Sequence, residues 1–212
     1  MERILTELGT RYPALVPALP ELRRTLETAL RTLRAGGTLF TAGNGGSGSD
    51  AEHIAGELLK GFKSRRPLPE SEISAFAEAY GADGLDTARK LQRGIRCVSL
   101  LSHPGFASAF ANDVDAELIY AQQLYALGRP GDTVLGITCS GNAGNVRRAF
   151  MTARQMGIAT VLLTGARAGK CVPYADIVIA VPETEVFKIQ ELHLPVYHAL
   201  CAALEAELFG EK

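Results

Sequence analysis

The chain has 212 residues, 22 Lys and Arg against 23 Asp and Glu, a formal net charge of -1, and 47% hydrophobic residues. That length suits one α/β domain with a full core, and the hydrophobic fraction argues against global disorder. The near-neutral charge argues against a nucleic-acid binder driven by phosphate neutralisation, and no run approaches the roughly 20 apolar residues that span a bilayer. The first twenty residues lack a long apolar region behind a basic cluster, so the expectation is a cytoplasmic protein. The four cysteines, Cys97, Cys139, Cys171 and Cys201, follow no C-x-x-C spacing and read as small hydrophobes in a reducing compartment.

Residues 1–37 read as a helical arm. Leu5, Leu8 and Tyr12 are spaced for one face, and Leu22, Leu26, Leu30 and Leu33 for another. Pro13, Pro17 and Pro20 divide the arm into at least two helices, Pro20 in the first turn of the second, and Gly36-Gly37 closes it. The arm has either the sheet domain or a partner subunit to pack against. From residue 38 the pattern alternates. Short apolar runs at 38–42, 96–101, 133–138, 159–164 and 176–181 read as strands covered on both faces. Helix-like stretches lie between and after them at about 49–63, 105–127, 143–156 and 185–209. This alternation predicts an α/β fold with a parallel sheet and right-handed crossovers, binding its ligand beyond the carboxyl ends of the strands. Residues 64–94 break the rhythm: a polar, proline-containing link and one or two short helices, with Ser71 a candidate cap, read as an insertion in a single domain.

Two loops follow predicted strands and open predicted helices. The first is Gly43-Asn44-Gly45-Gly46-Ser47-Gly48-Ser49-Asp50. Its glycines permit close backbone approach, its amides can ring an anion, and Ser47 and Ser49 offer hydroxyls. It matches neither G-x-G-x-x-G with a distal acid nor G-x-x-x-x-G-K-[ST], and a glycine-rich loop is as readily a plain tight turn. The second loop is Thr138-Cys139-Ser140-Gly141-Asn142. Neither contains Lys or Arg, so together they suit a phosphate monoester held by neutral donors and helix dipoles. His53 and Glu57 share a helix face at i and i+4, and Gln190 and His198 lie on broadly one side of the last helix. This set is open to two readings: a zinc site of nitrogen and oxygen ligands, or an acid–base pair of Glu57 and His198 whose carboxyl burial raises toward working pH. His193 competes with His198, and His103, before Pro104, reads as structural. Asn112 and Asp113 suit sugar hydroxyls as well as they suit an ordinary turn.

GNGGS, then D-A-x-H-x-x-x-E, N-D, G-I-T-x-S-G-N and I-Q-E-x-H-x-x-x-x-H together resemble the sedoheptulose 7-phosphate (phosphoheptose) isomerase family of the sugar-isomerase (SIS) group, over nearly the whole chain. The resemblance implies a five-stranded parallel sheet flanked by helices in three layers. It implies a homotetramer with active sites at subunit interfaces, and the interconversion of sedoheptulose 7-phosphate and D-glycero-D-manno-heptose 7-phosphate. Carried over by position, Asn44, Gly45, Gly46, Asn112 and Asp113 contact substrate, and Thr138, Cys139 and Ser140 take the phosphate-loop positions. Glu57 and His198 match the acid–base pair, and His53, Glu57, Gln190 and His198 match zinc ligands. The departures are Cys139 and Ala143, each in place of a hydroxyl residue, the length of 64–94, and Pro195 within the last helix. The alternative is a non-catalytic SIS module that binds a sugar phosphate or the replication initiator.

Overall fold

The computed structural model describes residues 1–167 and 169–210. In chain order the elements are α1 (Glu2–Arg11), α2 (Leu19–Arg34), β1 (Leu39–Gly43), α3 (Gly46–Leu59), α4 (Glu70–Lys90), β2 (Cys97–Ser99), α5 (Pro104–Phe110), α6 (Ile119–Leu127), β3 (Thr133–Ile137), α7 (Gly144–Gln155), β4 (Ala159–Thr164), β5 (Ile177–Ala180) and α8 (Val186–Phe209). All strand pairs are parallel, in the order β2-β1-β3-β4-β5. After β1 the chain passes to one side for β2 and then to the other for β3. A topological switch point therefore lies between β1 and β3, where such sheets open a binding crevice. The register pairs Gly43 with Ile137, so the two glycine-containing loops leave the sheet side by side.

Each strand is apolar on both faces because each face is covered. Leu39, Leu135, Ile137, Val161 and Leu163 pack with α1, α2, α3 and α8, while Phe40, Ala42, Val134 and Leu162 pack with α6 and α7. Neighbouring residues on one strand thus enter opposite layers, which makes the three-layer architecture. The arm belongs to the first layer of its own chain. Ile4, Leu5, Leu8, Leu22, Leu26 and Leu30 are buried there, each fully buried Leu contributing about 1.5–3 kcal/mol of transfer free energy. Pro20 stands in the first turn of α2, and the amides of Gly36 and Gly37 close that helix on the carbonyls of Leu33 and Thr32.

Two local expectations are corrected, and a third is sharpened. Ser71 does not cap α4: the helix starts one residue earlier, and the extended Pro69 supplies the boundary, its carbonyl accepting from the amides of Glu72 and Ile73 at 3.0 and 3.1 Å. Residues 105–127 are not one helix. α5 passes through a wide turn at 111–115 and a tight turn at 116–118 before α6, because the extended Asp115 accepts the Glu117 amide at 2.8 Å and starts a new turn. The 64–94 insertion is helical, but Gly81, at φ 63°, breaks α4 into two half-helices. Its ends meet at a bridge between Pro67 and Gln92, where the Arg93 amide donates to the Arg66 carbonyl at 2.8 Å. No helix among the described residues is long and apolar enough to cross a membrane.

Candidate active site

The site has a loop-built end and a helix-borne end. At the first, the loop after β1 carries Asn44 out of the sheet and turns into α3. The Asn44 and Asn145 side-chain amides bond reciprocally at 2.9 and 2.8 Å, and the Tyr120 hydroxyl reaches Asn44 Oδ1 at 3.3 Å while also donating to the Gly43 carbonyl. Asn44 is thereby tied to α6 and α7. Ser47 is buried and lies with its Oγ 3.6 Å from Cys139 Sγ, joining the first loop to the second. A cavity of about 310 Å³ opens here, between Asn44, Gly46 and Ser47 of one loop, Thr138, Cys139 and Ser140 of the other, and Gln190 of α8. Gln190 Nε2 lies 2.5 Å from where a Cβ on Gly46 would sit, so a larger residue at 46 would displace it. Gly45 forms the turn at the start of α3.

At the other end, α3 and α8 pack side by side and bring His53, Glu57 and His198 together. His53 Nε2 is 3.3 Å from Glu57 Oε1, and Lys60 Nζ is 2.5 Å from Glu57 Oε2. The His53 and His198 rings meet edge to face with centroids 5.1 Å apart. The buried Tyr197 hydroxyl donates to Asp50 Oδ1 at 3.2 Å and lies 3.0 Å from His53 Nδ1. The one hydroxyl thus contacts both Asp50 and the His53 ring, which fixes the ring's orientation. His198 Nε2 is buried without a partner among the described residues.

The electrostatics correct one expectation. Glu57 is not pushed up toward neutrality: the Lys60 hydrogen bond holds its carboxyl below the ordinary range, burial opposes this, and the charges of Lys60 and His53 add to the lowering. Glu57 is a carboxylate at neutral pH. The His198 imidazole is lowered by burial first and by the nearby His53 second, so it is neutral there. Asp50 is raised by burial, against the pull of Tyr197 and His53.

The remaining sequence candidates separate clearly. His193 is buried in the core, and burial lowers its imidazole to about 4; it stands apart from the cluster and does not replace His198. His103 bonds Gln123 Oε1 at 2.9 Å, a structural role. Asn112 and Asp113 are exposed, bond each other at 2.8 Å, and do not line the loop-built cavity. Pro195 is accommodated within a continuous α8. Of the four zinc candidates, His53, Glu57 and His198 are neighbours, whereas Gln190 lies over Gly46 in the loop cavity. As the side chains stand, no group of three or more His, Cys, Asp or Glu among the described residues is spaced to hold a metal ion. The donor chemistry fits in part: His198 Nε2 is orphaned, and Tyr197 fixes His53 with Nε2 toward Glu57.

Sequence reasoning missed Tyr197, Asp50, Lys60, Tyr120 and Asn145. Lys60 carried a signal, three residues past Glu57 on one helix. It also missed the support beneath Glu57. The fully buried Arg66 donates from Nε to Glu205 Oε1 at 2.6 Å and from Nη1 to the Leu58 carbonyl at 2.9 Å, and reaches the Glu57 carbonyl at 3.4 Å. Glu205 also accepts the amides of Phe62, Lys63 and Ser64 at 2.9, 2.7 and 3.1 Å. This buried pair ties the end of α3 to α8.

A parallel sheet of this order with a ligand crevice at β1 and β3 and charged side chains brought in by α3 and α8 defines a protein of the sugar-isomerase (SIS) fold. No family model matches the chain. It is 35% identical over 211 residues to the phosphoheptose isomerase of Roseiflexus sp. (strain RS-1), covering 100% of this chain and 94% of that one. It is 30% identical to the phosphoheptose isomerase of Akkermansia muciniphila, over 96% of this chain and 94% of that one. Among solved structures, phosphoheptose isomerase from Neisseria gonorrhoeae superposes with a TM-score of 0.73 at 25% identity, over 97% of this chain and 98% of that one. The chain belongs to the phosphoheptose isomerase family, and it is a sugar-phosphate isomerase. The relatives matched over nearly their full length are named isomerases, which favours the catalytic reading over the non-catalytic alternative.

Proposed function

We propose that the chain interconverts sedoheptulose 7-phosphate and D-glycero-D-manno-heptose 7-phosphate through an enediol. The observation that carries this reading is the gathering of a charged Glu57 and a neutral His198 about His53 in a phosphoheptose isomerase relative; His198 opens on a cavity of about 370 Å³ shared with Tyr12 and Phe62, and Gln190 of the same helix reaches the loop-built cavity. In the ketose-to-aldose direction, the Glu57 carboxylate takes a proton from C1 and, after exchange of that proton with solvent in the enediol complex, delivers one to C2. The neutral His198 passes a proton between the two oxygens, so that the C2 carbonyl becomes a hydroxyl as the C1 hydroxyl becomes the carbonyl. Loops 43–47 and 138–143 hold the sugar and the phosphate respectively, with Asn44, Gly45, Gly46, Ser47 and Gln190 at the sugar and Thr138, Cys139 and Ser140 at the phosphate. His53, Glu57 and His198 would hold a zinc ion if His53 Nε2 exchanged Glu57 for the metal. Such an ion would supply a Lewis acid for the sugar oxygens.

Asn112 and Asp113, exposed and away from this cavity, are assigned to a neighbouring subunit's site in a homotetramer, and the cytoplasm is the expected compartment. The direct test is incubation with sedoheptulose 7-phosphate in deuterium oxide, read by NMR. The expected result is the aldose heptose phosphate with deuterium at C2; absence of conversion overturns the reading. Metal analysis of the purified protein and of His198→Ala tests the zinc site, and light scattering tests the tetramer.

A further inference from the structure

A phosphate monoester carries close to two negative charges, yet the loop assigned to it offers none of the opposite sign. Thr138 is buried, the Ser140 hydroxyl accepts the Asn142 amide at 3.3 Å, and Cys139 and Ala143 bring no hydroxyl. Amides and a helix N-terminus suit an anion but leave charge uncompensated.

A third loop, following β4, is built onto this one. The Gly165 amide donates to the Cys139 carbonyl at 3.1 Å, the Cys171 amide to the Gly141 carbonyl at 2.8 Å, and the Lys170 amide to Asn142 Oδ1 at 3.0 Å. The contact is backbone on backbone: a Cβ at Gly169 would run into the Gly141 carbonyl, so only glycine permits it. Through these bonds the third loop is registered to the second, and Arg167 comes with it. Arg167 lines a second cavity, of about 270 Å³, together with Cys139, Ser140, Asn142, Glu183 and Thr184. Cys139, Ser140 and Val186 also line the cavity that holds Asn44 and Gln190, so the two spaces adjoin across the second loop. Arg167 is exposed and makes no hydrogen bond or ion pair among the described residues. Glu183 faces the same cavity without pairing to it.

We propose that Arg167 is the cation that binds the substrate's phosphate, its guanidinium facing the group from the side opposite Ser47. The inference rests on the reading of 138–143 as the phosphate loop. It differs from the sequence expectation of recognition by neutral donors alone: the cation arrives from a loop that no strand-to-helix motif marks. A planar guanidinium suits two phosphate oxygens at once, which an ammonium does not.

The test compares the full-length protein with Arg167→Ala, Arg167→Gln and Arg167→Lys by calorimetric titration with inorganic phosphate and by sugar-phosphate kinetics. For Ala and Gln the expected result is a roughly 10- to 100-fold weaker phosphate Kd, a KM raised to a similar degree and a kcat within about twofold, the range set by loss of one charge-assisted contact. Lys is expected to recover part of the loss. Unchanged phosphate affinity in both Ala and Gln overturns the proposal, as does an absence of phosphate binding by the unaltered protein. Weakened phosphate binding in a protein that turns over no heptose phosphate upholds Arg167 and overturns the isomerase assignment instead.

Discussion

The two groups of candidate residues are held by different forces. The loop-built end is set by backbone and by neutral side chains: strand register, the stitched second and third loops, and the reciprocal side-chain amides of Asn44 and Asn145. The helix-borne end is set by side chains, and by charged ones. His53, Glu57 and Lys60 touch in series, and beneath them Arg66 and Glu205 are buried as an ion pair. Backbone amides hold a substrate without changing protonation state, whereas carboxylate and imidazole groups can move protons. On the proposed function the first group binds and the second reacts, and disturbing each should leave a different kinetic signature.

The sharpest break comes at the reacting end. Glu57→Gln keeps the shape but cannot accept a proton, so kcat should fall by about 10²–10⁴ with KM changed only a few-fold. A comparable loss confined to KM would place Glu57 in binding. Next comes the support beneath it. Glu205→Ala leaves Arg66 charged in the core and should destabilise the fold by about 3–5 kcal/mol, read as a lower urea midpoint. Replacing both, as Arg66→Met with Glu205→Leu, removes the unpaired charge and should recover part of that stability, the remainder being lost with the partners of the Phe62, Lys63 and Ser64 amides and the Leu58 carbonyl. If single and double changes cost the same, the pair is not what holds this end.

At the binding end, Asn145→Ala releases Asn44 from one exposed amide pair. The expected change is a several-fold rise in KM with kcat nearly constant, in keeping with a hydrogen bond of about 1 kcal/mol. The smallest effect is electrostatic. Glu57 is held low chiefly by Lys60, so its charge is present above the ordinary carboxyl range and lost only as pH falls through the lowered value. Activity should decline on the same acid limb. Lys60→Met removes the leading downward cause and leaves burial, so the limb should move to higher pH in a kcat/KM profile; a limb that does not move assigns it to another group.

These contrasts also mark what a sequence conveys. The binding end was largely legible because it is local: strand, glycine turn and helix are contiguous at 38–57 and at 133–156, and two apolar runs suffice to align them. The i,i+4 spacing of His53 and Glu57 was legible for the same reason. Fine punctuation was less so. Ser71 lost its cap to a neighbouring proline, and Asp115 restarted a helix that apolar spacing alone would continue. The reacting end depends on separation in space. Arg66 and Glu205 stand 139 residues apart, and Tyr197 meets Asp50 across 147, so no window of sequence contains either pair. Lys60 reverses the expected shift of Glu57 because one salt bridge outweighs partial burial, a balance that spacing cannot weigh. Gln190 shares a helix with His198, yet it enters the loop cavity while His198 packs against His53.

The bridge at Pro67 and Gln92 has a consequence for how this scaffold tolerates change. Because the excursion that carries α4 begins and ends at one hydrogen-bonded point, the domain meets it as a closed loop whatever its length. Closure entropy grows only with the logarithm of loop size, by about 0.6 kcal/mol per doubling. The stretch from 68 to 91 is therefore a port: shortening it to a tight turn, or grafting a longer module into it, leaves the helix bearing Glu57 anchored by the same arginine.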